Sequence, residues 1–345
     1  MSFFLVTLVS TYLIIILNKY LPSLSMDNEF SGVQKFHFTP TPRIGGLSIF
    51  IGLLFFSLFT DNYQSHIVKV IIACSIPLFV IGIIEDLTSK IKPIIRLFFI
   101  VISSIIAINM LDINISNFNF YLLDEFYANN QILVAVFSVF ALTGLVNGFN
   151  IIDGFNGLLS GFSLLCLISI AYLSNVFGDT VVFEISTSLI YILLGFFFFN
   201  FPLGRIFLGD SGAYFLGFVI GILATFFVNR HSEISHWYSL SLFIYPLFEV
   251  LFSIIRKKIK NHPSSQPDGD HLHMLVYKKI INCSINRKFP EICNSMTSPL
   301  IWTISSLPII LGTYFYNDPF AQFCNIIFFM FLYVLIYFSI KKIRA

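Results

Sequence analysis

Asn147-Gly-Phe-Asn150-Ile-Ile-Asp153-Gly-Phe-Asn156-Gly-Leu-Leu-Ser-Gly161 separates two long apolar runs, about 131–147 and 158–176, and how this turn is read decides the fold. Polar side chains in so apolar a setting persist where they are used or satisfied. The glycines let the backbone turn tightly and approach a ligand closely. Asp153 offers an anionic oxygen, and Asn147 and Asn150 offer neutral donors and acceptors. Taken alone, the stretch is equally a capped hairpin between two membrane helices or one wall of a polar site.

The rest of the chain repeats the pattern of apolar run and short polar turn. Its 345 residues are 57% apolar, 17% aromatic and only 11% charged, with 43 phenylalanines. A soluble domain carries about a quarter of its residues as charges, so a soluble globular fold is excluded. Runs long enough to cross a hydrocarbon core of about 30 Å recur throughout. The expected fold is all-α: one polytopic membrane domain over 1–345. It has about eleven spans, near 2–18, 44–60, 67–84, 94–110, 131–147, 158–176, 181–199, 213–229, 238–255, 297–314 and 320–340. The first run has no basic n-region or small-residue cleavage site and reads as a retained helix. Cys74, Cys166 and Cys324 lie in apolar runs as small hydrophobes, and Cys283 and Cys293 have no metal-ligand spacing.

Eleven spans place the loops 19–43, 85–93, 148–157, 200–212 and 256–296 and the tail on one side. With Arg96 counted at its helix mouth, that side holds all of the 20 Lys and Arg except Lys69 and Arg230. The positive-inside rule puts it in the cytoplasm, with the N-terminus outside and the C-terminus cytoplasmic. No internal repeat suggests the inverted halves of a transporter.

Chemistry-bearing residues gather in those loops. The first ends His37-Phe-Thr-Pro-Thr-Pro-Arg43-Ile-Gly-Gly46, where Arg43 at the membrane boundary can reach a phosphate. Glu85-Asp86 closes the third span, a costly pair at the negative end of a helix dipole unless a metal or a proton uses it. Gly204-Arg205-Ile-Phe207-Leu-Gly-Asp210-Ser-Gly212 sets a carboxylate before an apolar helix, either as a cap or as a ligand for Mg²⁺. Phe207 can stack on a base. Glu249 lies inside an apolar helix, as a site or as half of an ion pair. Asp268-Gly-Asp-His271-Leu-His273 follows the basic Arg256-Lys-Lys, and phosphate contact or proton handling suits it better than zinc.

Taken together, in order, these loops resemble the polyprenyl-phosphate N-acetylhexosamine-1-phosphate transferase family, from His37 to about Met274. The resemblance rests on Thr41-Pro-Arg-Ile-Gly-Gly46, Glu85-Asp86, Asn147-x-x-Asn150-x-x-Asp153-Gly, Arg205-Ile-Phe-Leu-Gly-Asp210, Pro246-x-x-Glu249 with Arg256, and Asp268 with His271 and His273. The chain departs from the family's pattern with Glu85 for an aspartate, Asn156 for a second acid in the central loop, and Met274 where a further histidine is common.

The resemblance implies transfer of a HexNAc-1-phosphate, of GlcNAc type, from a UDP-sugar to undecaprenyl (polyprenyl) phosphate, with release of UMP. This is the first step of a cell-surface glycan such as O-antigen, capsule or a teichoic-acid-like polymer. It places the protein in a bacterial inner membrane with its site facing the cytoplasm, and gives it Mg²⁺, or Mn²⁺ in its place. Asp210 and Asp153 would hold the metal. Glu85, Asp86 and Asp153 would be catalytic, with Asp86 and Glu85 positioning or deprotonating the lipid phosphate. Arg43, Asn147, Asn150, Arg205, Phe207, His271 and His273 would bind substrate. No nucleic acid is expected, and a homodimer is compatible with the pattern. The alternatives are an enzyme of the phospho-MurNAc-pentapeptide translocase type and a non-catalytic transporter or lipid-binding protein, whose acids would line a path at mid-span.

Overall fold

A computed structural model describes residues 2–21, 25–27, 39–60, 63–117, 124–125, 127, 130–261, 269–281 and 290–343. They form α1 (Ser2–Tyr20), α2 (Gly46–Phe59), α3 (Tyr63–Thr88), α4 (Pro93–Leu111), α5 (Gln131–Ile152) and α6 (Leu158–Val176). Then come α7 (Thr180–Asn200), α8 (Gly209–Arg230), α9 (His236–Ile259), the short α10 (Leu272–Val276), α11 (Pro290–Tyr314) and α12 (Pro319–Lys342). A π-helical turn over Tyr277–Ile281 continues α10. One two-stranded antiparallel ribbon, β1 (Met26–Asp27) with β2 (Thr41–Pro42), is present.

Ten of these helices are long and apolar enough to cross a membrane. The expected span at 44–60 falls short of this. α2 has 14 residues, about 21 Å at 1.5 Å per residue. Its first turn is occupied elsewhere, because the N–H groups of Gly45 and Gly46 donate to Phe207 O at 3.0 Å and Leu208 O at 2.9 Å. Residues 41–42 are likewise committed to the ribbon, which the sequence pattern did not signal.

α8 is the axis. Nearly all of its length is buried, and α2, α3, α5, α6 and α9 pack around it. Small residues permit the approach: a Cβ on Gly46 would stand 2.4 Å from Gly212 Cα, and one on Gly82 2.5 Å from Ser211 Cα. With no water to exclude between helices in lipid, such close backbone contact holds them together. It also fixes the end of α3 beneath the start of α8.

The two ends of the bundle differ. At one, the ends of α3, α5 and α9 meet the start of α8, the ribbon and the loop before α10. This gathers the described parts of all five loops expected on a common side. At the other end, Asp179 caps α7 through Val182 N at 3.1 Å and accepts from Arg230 Nε at 2.8 Å, with His231 Nε2 at 2.9 Å. Burial alone would push the Asp179 carboxyl up, but these partners more than offset it and hold the carboxyl below its usual range. Between the ends, Phe149, Phe162, Phe215, Phe218 and Phe227 fill the interior.

Candidate active site

At the first end lies a cavity of about 340 Å³, onto which Arg43, Arg96, Asn150, Asp153, Phe207, Asp210 and His271 all face. Its construction begins at Gly209, the first residue of α8. There φ is +78°, and a Cβ would fall 1.9 Å from Arg43 O and 2.6 Å from an Asp86 oxygen, so only glycine fits. Asp86, reaching across from α3, accepts from Asp210 N at 2.7 Å, Ser211 N at 3.0 Å and Ser211 Oγ at 2.6 Å. It therefore caps α8 from another helix, satisfying amide groups that would otherwise be orphaned at a positive helix end.

With its backbone so held, Asp210 turns its side chain to the cavity. Asn150 Nδ2 donates to one oxygen at 2.9 Å, Arg96 Nη1 pairs with the other, and Tyr214 OH lies 3.4 Å from the second. Glu85, adjacent to Asp86, faces differently. It accepts from Ile91 N at 2.7 Å and stands 3.6 Å from Arg96 Nη1. The expected acid pair is thus divided, one member holding a helix start and the other the turn before α4.

Asp153 closes α5 at the cavity edge. Burial, and next the charge of Asp210, raise its carboxyl to about 7, with Arg43 opposing. Beyond it the loop is clipped in place. Asn156 N donates to Asn294 Oδ1 at 2.8 Å, and Asn200 Oδ1 accepts from Gly157 N and Ser160 Oγ, each at 2.9 Å. Asn156 is therefore a structural clip between the central loop and α11. At the position where the resemblance sets a second acid, the Asn156 amide donates to Ser295 Oγ at 3.2 Å.

His271 lines the cavity, its Nδ1 2.9 Å from Glu249. His273 does not. It is wholly enclosed behind the Asp153–Phe155 turn, and burial depresses it to about 3, so it is a neutral packing partner there. Arg205 is also displaced from its expected place, because it lines a separate hollow with Lys19 between the end of α1 and the ribbon. Asn147 lines neither hollow and sits one turn back along α5. His37, Asp268 and Cys283 lie outside the described residues.

Arg96, Asn200, Asn294 and Ser211 complete the site and were not singled out in the sequence. Arg96 counted only as a charge at a helix mouth, and its 114-residue separation from Asp210 carries no local signal. The asparagines look like ordinary polar residues in apolar helices, which could have flagged them.

The donor set can be tested against magnesium. Among the described residues no group of three His, Cys, Asp or Glu side chains forms a ready cage. Asp210 and Asp153 do face one cavity and repel each other. Mg²⁺ usually takes one or two carboxylates and completes its shell with water and substrate phosphates. The residues fit that use.

A family model described as glycosyl transferase family 4 matches residues 68–228, which contain Asp86, Arg96, Asn150, Asp153 and Asp210. A protein of Bacillus subtilis named a probable undecaprenyl-phosphate N-acetylglucosaminyl 1-phosphate transferase is 31% identical over 244 residues, 70% of this chain and 66% of its own. The chain belongs to this family. Another relative, the undecaprenyl-phosphate alpha-N-acetylglucosaminyl 1-phosphate transferase of Thermotoga maritima, is 29% identical over 72% of each chain. A phospho-N-acetylmuramoyl-pentapeptide-transferase of Staphylococcus carnosus is 27% identical over 64% of this chain and 72% of its own. The chain spans about two thirds of the length of the relatives it matches.

Proposed function

We propose that the protein transfers a HexNAc-1-phosphate, with GlcNAc the leading candidate, from its UDP-sugar to a polyprenyl phosphate of the undecaprenyl type. An oxygen of the lipid phosphate attacks the phosphorus that carries the sugar. The new bond is the lipid diphosphate, the broken bond is the bridge to the uridine-bearing phosphate, and UMP leaves with both electrons of that bridge. The observation that carries this reading is the meeting of Asp210, Asp153, Arg43, Arg96 and His271 on one cavity at the mouth of an apolar bundle. A lipid phosphate held at the interface and a nucleotide sugar from water can meet only at such a place. The relatives' names support the same reaction. The distribution of Lys and Arg supports a cytoplasmic site in a bacterial inner membrane.

In this reading Asp210 and Asp153 hold Mg²⁺, which when bound offsets the negative charge of two phosphorylated substrates. Arg43 contacts phosphate. Arg96, paired with Asp210, orients that carboxylate and adds a second cation beside it. Phe207 offers a face to the uracil, and His271 contacts the diphosphate. Asp86 positions Asp210 and does not act as a base, because its oxygens are occupied by α8. No strong base is required, since a phosphate monoester is largely dianionic near neutral pH. Release of UMP from UDP-GlcNAc on addition of polyprenyl phosphate, with and without Mg²⁺, tests this. Turnover at the wild-type rate by Asp210→Asn would overturn the assignment.

The Staphylococcus carnosus relative favours one second reading, a UDP-MurNAc-pentapeptide donor, and both donors belong in the assay. A transport path is disfavoured, because the cavity acids Asp210 and Asp153 lie together at one end and buried phenylalanines fill the interior beyond them.

A further inference from the structure

Glu249 is an ionisable residue enclosed completely in the bundle, away from the cavity surface. A buried carboxylate is costly unless its oxygens are answered. Here Leu272 N donates to one oxygen at 3.3 Å and His271 Nδ1 lies 2.9 Å from the same oxygen, while Tyr333 OH on α12 donates to the other at 2.7 Å. Among the described residues no Lys or Arg forms an ion pair with Glu249, and the ring of His271 is the basic side chain hydrogen-bonded to it. The same helix, α9, grips the loop again two turns later. Arg256 donates to Tyr337 OH at 3.3 Å and to the carbonyl of Asp270, the residue before His271, at 2.6 Å.

We infer that Glu249 and Tyr333 are positioning residues for His271, holding its Nδ1 as a donor so that Nε2 serves the cavity as a donor to the diphosphate of the nucleotide sugar. A carboxylate hydrogen-bonded at Nδ1 fixes the orientation of the ring, and an imidazolium N–H at Nε2 makes a charge-assisted bond to phosphate. Tyr333 completes the second oxygen of Glu249 and so keeps the carboxylate from turning away. This rests on the proposed function, since the ligand is the donor of that reaction. It adds that the last transmembrane helix, outside the residues matched by the family model, sets the strength of donor binding.

A double-mutant cycle on the full-length protein tests it, reading the Kd for UDP-GlcNAc, the donor KM, kcat and the melting temperature. Glu249→Gln keeps the shape and an acceptor oxygen but removes the charge. It and His271→Asn are each expected to raise Kd and KM about 10- to 100-fold, the worth of one charge-assisted bond, with kcat moved less. The double variant should bind no worse than His271→Asn alone, and Glu249→Asp should recover part of the loss. Independent effects that multiply in the double variant, or an unchanged Kd in Glu249→Gln, overturn the inference. If Glu249→Gln does not fold, Tyr333→Phe enters the same cycle with a smaller loss expected, and the same two outcomes overturn it. A wild-type protein that binds no UDP-GlcNAc overturns the proposed function and this inference together. Binding by the wild type with multiplicative losses removes the inference alone.

Discussion

Asp86 and Asp210 carry the same functional group and do opposite work because of what surrounds them. The oxygens of Asp86 are filled by three donors at the start of α8, whereas Asp210 presents its carboxylate to the cavity with Asn150 and Arg96 steadying it. Asp210→Asn is therefore expected to lower kcat by about 100-fold or more, the scale of a preorganised electrostatic group, with melting temperature little changed. Steady-state rates beside thermal melts check this. Asp153 gives a pH signature. Its folded carboxyl, at about 7, lies above the ordinary value of about 3.9. The folded protein keeps a proton there that the unfolded chain has lost, so this group's contribution to stability falls as pH rises between these values. A divalent cation offsets that loss. Mg²⁺ is thus expected to raise the melting temperature more at pH 8 than at pH 5, and Asp153→Asn should flatten the difference.

At the scale of elements, the crossing of α2, α3 and α8 is the device that builds the site, and it depends on residues without side chains. Gly209→Ala would strain a left-handed backbone and strike Arg43 O. It is expected to cost about 1–3 kcal/mol and to remove activity by displacing Asp210, measurable as a lower melting temperature together with lost turnover. The glycines, Asp210 and the acids of the other loops were legible in the sequence because polar punctuation stands out against apolar runs. The ribbon was not, since two-residue strands have no periodicity. Nor was the shortness of α2, which comes from backbone bonds to residues about 160 positions later. Nor was the place of Arg205, which is exposed and lines the hollow beside Lys19 while Phe207 and Asp210 of the same loop face the cavity.

Across the whole molecule, the sequence predicted the helical bundle and a common end for the site, both of which the structure shows. Which end meets the cytoplasm was read from charge alone. Labelling of single introduced cysteines in intact cells checks it. A cysteine at position 112 is expected to react with a membrane-impermeant reagent, and one at position 90 only after the membrane is opened. The Asp179–Arg230–His231 cluster at the far end ties the start of α7 to the end of α8. Asp179→Ala is expected to lower the melting temperature and leave the donor KM unchanged, because no cavity residue touches it.

One consequence follows from the enclosure of α8. A helix sheathed on every side by its own protein feels the bilayer only at second hand, while α1, α4 and α12 present broad apolar faces to it. Changes in lipid thickness or tension act first on that outer ring, which can tilt or slide without moving the axis. The cavity-facing carboxylate of Asp210 is thereby mounted on the part of the protein most insulated from the membrane's mechanics, even though the lipid substrate proposed for it arrives from that same membrane.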